Sequence, residues 1–72
     1  MQYSSYEWLD ALSVENRFRV FRELSVYLSS GELKKVMDHV QRGEDLLAIH
    51  RRMGLLHKYQ VDLIRIREQL KL

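Results

Sequence analysis

Cysteine and proline are missing from this chain, and glycine occurs three times, at Gly31, Gly43 and Gly54. Without cysteine no disulfide can staple the fold and no thiolate can hold zinc. The same absence fits a reducing compartment. Long hydrophobic runs are lacking too, since no stretch approaches the ~20 residues that span a bilayer. The start, Met1-Gln2-Tyr3-Ser4, has neither the basic residues nor the apolar stretch of a signal peptide. A cytoplasmic protein that does not enter the membrane is therefore expected. Neither sign of charge dominates. The formal net charge is +2, too small to demand a nucleic-acid partner. β-Signals are sparse, with no Asn-Gly or Asp-Gly turn and no sustained alternation of polar and apolar residues.

What is present points to helices. The chain is 46% hydrophobic and 31% charged, a balance that folds rather than stays disordered. Its 72 residues make a single domain. A chain this short hides only ~60% of the surface its unfolded form exposes. Disulfides are excluded, and three histidines are too few for a closed metal site without carboxylates. Self-association is then the expected support.

Helix starts are marked by capping residues. Ser4 and Glu7 have capping-box spacing, with Tyr3 and Trp8 at the hydrophobic-staple positions, and predict a helix over roughly residues 5–12. Ser13 offers a second N-cap, with Glu15 in the first turn where the helix dipole favours negative charge. Val14, Phe18, Phe21 and Leu28 then share one face, which Val20, Leu24 and Tyr27 widen. The helix over 14–28 is expected to be the most buried element. Ser29 and Glu32 repeat the capping box, with Leu28 and Leu33 as the staple. They open a helix over 30–41 that carries Leu33, Val36, Met37 and Val40 inward, and Gly43 suits its stop.

The last segment, from Glu44 and Asp45 onward, is the most distinctive. Ile49, Leu56, Leu63 and Leu70 recur every seven residues, with Tyr59 and Ile66 on a second seam that Arg52 interrupts. Unbroken, residues 44–71 make a rod ~42 Å long. Gly54 bears on its continuity. Within a helix this glycine falls opposite the seam and costs ~1 kcal/mol relative to alanine. As a turn it lacks support, because Leu55-Leu56-His57 offers no capping residue for a new helix. The seam also keeps its phase across Gly54, so a continuous helix is expected. Three short helices cannot shield so long an apolar stripe. The fold expected is thus an all-α bundle of three short helices and one long C-terminal helix, assembled as a homodimer.

Several constellations could carry function. Arg51, Lys58 and Arg65 are spaced by seven and form a basic ridge away from the seam. It is a contact surface for phosphates or acidic protein patches, or simply the solvated face of an amphipathic helix. Residues Gly43 to Ile64 have the order of a helix-turn-helix, with Met53-Gly54-Leu55 as the turn and Lys58, Tyr59, Gln60 and Arg65 facing a major groove. Val61 falls one residue late for the usual spacing. His50 and His57 are seven apart, a poor spacing for a helical metal pair, and read as surface residues. No nucleophile elbow, phosphate loop or carboxylate pair is present, so no enzyme and no cofactor are expected. Tyr3, Tyr6 and Trp8 read as lids on a small core. Gln60 and Arg67 sit on the apolar arc, as register-setting residues or at its rim.

The expected function is that of a small non-enzymatic regulator or adaptor working by protein–protein contact. Its interface would be Ile49, Met53, Leu56, Tyr59, Leu63, Ile66 and Leu70, flanked by Arg51, Lys58 and Arg65. The alternative is a dimeric helix-turn-helix-like DNA-binding transcriptional regulator.

Overall fold

A computed structural model describes residues 6–72, and every regular element among them is a helix. In order these are α1 (Glu7–Ala11), α2 (Val14–Leu24), α3 (Ser30–Gln41), α4 (Leu46–Arg52), α5 (Leu55–Lys58) and α6 (Gln60–Leu70).

Capping chemistry sets most of these boundaries. The Ser13 hydroxyl accepts the Asn16 N–H at 3.1 Å and starts α2. At α3 the capping box is complete: the Ser29 hydroxyl accepts the Glu32 N–H, and the Glu32 carboxylate accepts the Ser29 N–H at 3.0 Å. The Asp45 carboxylate accepts the Ala48 N–H at 3.0 Å and opens α4. The expected Ser4 cap lies outside the described residues. Gly43 ends α3 with φ 83°, while the Gly43 N–H returns to the Val40 carbonyl and the Glu44 N–H to the His39 carbonyl. This is the pairing of a Schellman stop.

Two expectations need correction. First, α2 ends at Leu24 rather than near residue 28. There the Ser25 hydroxyl bonds back to the Arg22 carbonyl at 2.6 Å, and the Val26 and Tyr27 N–H groups reach only three residues back, which tightens the chain into a turn. Val20, Phe21 and Leu24 are buried, but Val14, Phe18 and Tyr27 are exposed, as is Met37 on α3. The two helices therefore bury only one edge of the apolar face the sequence assigns them.

Second, the long C-terminal helix is absent. The chain breaks at Gly54, which adopts φ 72°, and again at Tyr59, so that α4, α5 and α6 take its place. The described residues span 30 Å in their longest dimension, too short for a ~42 Å rod. A left-handed residue costs glycine little, and burial of both Leu55 and Leu56 stabilises α5 although no side chain caps it. Neighbouring residues on a helix point about 100° apart. Here Leu56 enters the main core with Leu9, Val20, Phe21, Leu24, Leu47, Leu63 and Ile66, while Leu55 joins Val36 and Ile49 in a second cluster.

The assembly is built on α4. Helix α2 packs on α6 and α4, and α3 packs on α4. The Cα radius of gyration is 11.5 Å, close to the ~11 Å typical of a compact chain of this length. No described helix is long and apolar enough to cross a membrane.

Candidate functional site

Because α2 and α3 both lean on α4 and each keeps one apolar edge out of the core, an open groove runs between them. Its volume is about 270 Å³. Phe18, Phe21, Arg22 and Ser25 form the α2 wall. Leu33, Val36, Met37 and Val40 form the α3 wall, and Leu46 and His50 of α4 lie beneath. Phe18 and Met37 stand at the two lips, 56% and 48% exposed. Among the lining residues Arg22 alone carries a fixed charge. It makes no ion pair with a carboxylate among the described residues.

His50 is the buried polar residue of this site, only 1% exposed. Its ring stacks on Phe21 with centroids 4.1 Å apart and planes 24° from parallel. Its Nδ1 lies 2.7 Å from the Leu46 carbonyl oxygen. A carbonyl can only accept, so Nδ1 carries the proton and Nε2 of the neutral ring is an acceptor. Burial pushes the imidazole below its ordinary pKa, against a smaller opposing effect of the Leu46 bond. The Nδ1–Leu46 bond is the one hydrogen bond the His50 ring makes among the described residues, so Nε2 is not engaged by them. The Ser25 hydroxyl, by contrast, is committed to the Arg22 carbonyl.

The residues expected to form an interface lie elsewhere. Ile49, Leu56, Leu63 and Ile66 are buried within the folded chain. Met53, Tyr59 and Leu70 are half-buried and pack against the two core clusters. With the rod broken at Gly54, the stripe folds back on its own neighbours and becomes core.

The basic ridge is likewise divided. Arg51 on α4 pairs with Asp10 of α1 at 3.3 Å. Lys58 on α5 pairs with Glu32 of α3 at 2.6 Å, and Arg65 on α6 is exposed. Of the groove-reading set of a helix-turn-helix, Lys58 and Tyr59 are both bonded to Glu32, and Gln60 is half-buried. The turn itself sits at Met53–Gly54, where that order places it, but the following helix stops after four residues.

Glu32 is the busiest carboxylate. It accepts from Lys58 Nζ, the Tyr59 hydroxyl and the Ser29 N–H, and these bonds, in that order of effect, lower its pKa from 4.5 to about 2. The cluster fastens the start of α3 to the α5–α6 junction. At the other end of α3, Glu44 bonds both His39 and Arg52, which lower its pKa below the ordinary carboxylate value. Trp8 is half-buried against the main core with the Arg67 guanidinium 5.1 Å from its ring, consistent with a lid. His57 is exposed. A second apolar patch, Val61 and Ile64, lies exposed on α6.

The sequence reading missed the groove and placed His50 at the surface. A signal was available, because Leu46, Leu47 and Met53 lie four and three residues before and three after His50, on one helical face. No protein-family model matches the chain, and comparison with curated proteins and with solved structures yields no match.

Proposed function

We propose that this protein is a small, cytoplasmic, non-enzymatic adaptor or regulator that docks an amphipathic helix of another protein in the groove between α2 and α3. The observation that carries the reading is the pair Phe18 and Met37, large apolar side chains exposed on opposite lips of an apolar trough. An apolar helix face laid in a groove is a recurrent mode of recognition, read as anchors at i, i+3 or i+4, and i+7. A cavity of ~150 Å³ accepts a benzene ring, so a groove of about 270 Å³ has room for a large aromatic or two smaller side chains. Arg22 at the α2 wall gives the partner its charge: the docked helix carries an aspartate or glutamate beside its apolar anchors.

A second copy of this chain is a weaker fit as occupant. The stripe that suggests a homodimer from sequence alone is used inside the folded chain. A DNA-binding role draws support from the turn at Met53–Gly54. Against it, Lys58 is already neutralised by Glu32. DNA binding would require association with random duplex at low salt that falls steeply as salt rises, and none is expected.

The docking role is tested with a displayed library of randomised helical peptides, selected on the wild type and on a Phe18→Glu/Met37→Glu variant. Both sites are exposed, so the variant is expected to keep the wild-type circular dichroism. The wild type should enrich amphipathic helices with an acidic flank, and the variant should not. A wild type that enriches nothing, or a variant that enriches the same helices, contradicts the proposal.

A further inference from the structure

The floor of the groove holds a ring nitrogen that no described residue engages. His50 is locked on three sides: Phe21 covers one face, the Leu46 carbonyl takes Nδ1–H, and the helix backbone fixes the root of the side chain. The ring cannot turn over without breaking the Leu46 bond. Nε2, on the far edge of the ring, is left to whatever fills the groove that His50 lines. We propose that the docked helix is anchored by a tryptophan whose indole N–H donates to Nε2 of His50. This rests on the groove being the docking site and names the residue that the site selects.

The choice of indole follows from counting donors and acceptors. An aliphatic or phenylalanine anchor would cover Nε2 and strip it of water without giving anything back, and a buried unmatched acceptor is costly. A tyrosine could donate, but its oxygen brings acceptor capacity as well. Of the groove's other polar side chains, the Ser25 hydroxyl is taken by the Arg22 carbonyl and the Arg22 guanidinium is left to the acidic flank of the docked helix. Indole donates one hydrogen and accepts none, which matches one free acceptor in an apolar setting. Sites built around one buried polar group discriminate mainly by leaving that group unpaired with the wrong ligand.

The test uses two fragments of nearly the same shape, indole and benzothiophene, of which only indole has an N–H. Each is titrated by NMR into the wild-type protein and into a His50→Phe variant. Indole should bind the wild type about two- to tenfold more tightly, the worth of one net hydrogen bond. The His50 Nε2 nitrogen resonance should shift with indole and stay in place with benzothiophene. His50→Phe should bind benzothiophene and lose the preference for indole. Equal affinities in the wild type, or a preference that survives in His50→Phe, overturn the proposal while leaving the docking site standing. Failure of both fragments to perturb the groove in the wild type overturns the docking site itself. Should His50→Phe fail to fold, the wild-type comparison and the nitrogen resonance still decide.

Discussion

At Gly54 the backbone takes φ 72°, a conformation that costs a residue with a Cβ ~1–2 kcal/mol. A Cβ built there meets nothing within 4 Å, so the cost of substitution is conformational rather than steric. Gly54→Ala is thus expected to destabilise the protein by ~1 kcal/mol in urea unfolding. An unbroken helix through this position predicts the opposite sign, a gain of ~1 kcal/mol from alanine's higher propensity. Glu32 supports a second prediction at this scale. Its pKa falls from 4.5 to about 2, chiefly through Lys58 and then Tyr59 and the Ser29 N–H. A carboxylate with a depressed folded-state value binds its proton more weakly in the folded chain than in the unfolded one. Its contribution is therefore complete above pH 4.5 and disappears as pH falls towards 2. The urea midpoint should fall across that window in the wild type, and Glu32→Gln should flatten that part of the profile. An unchanged profile in Glu32→Gln would show that the cluster does not form.

Among the elements, α6 separates core from interface most cleanly. Leu63 and Ile66 sit in the main cluster with Leu9, Val20 and Leu24. Leu63→Ala should cost ~2–5 kcal/mol, as buried leucines do. An interface leucine would instead leave monomer stability nearly unchanged and alter only the mass in sedimentation. The starts of α2, α3 and α4 were legible in the sequence because Ser13, Ser29 and Asp45 act over three residues, and local chemistry of that range is visible in a linear string. The α3 stop at Gly43 was legible for the same reason. The break at Gly54 was not, because the heptad spacing of Ile49, Leu56, Leu63 and Leu70 survives in a chain that turns, provided both halves pack inward, Ile49 in the second cluster and Leu56 and Leu63 in the main one. Nor could periodicity say which edge of an amphipathic face is buried. Phe18 and Phe21 share a face in the sequence, and packing on α4 and α6 covers Phe21 alone. The groove follows from that choice and from the matching one on α3, so no pattern within either helix contains it.

For the whole molecule, the central claim is that a compact chain, 30 × 22 × 21 Å, keeps its C-terminal stripe for itself and offers the α2–α3 groove to a partner. The competing surface is Val61 and Ile64 on α6. Titration of the ¹⁵N-labelled protein with a helix enriched from the library distinguishes the two. Docking in the groove predicts amide shifts at Phe18, Arg22, Met37, Val40 and His50, with Val61 and Ile64 unmoved. Shifts centred on Val61 and Ile64, with the groove silent, would contradict it.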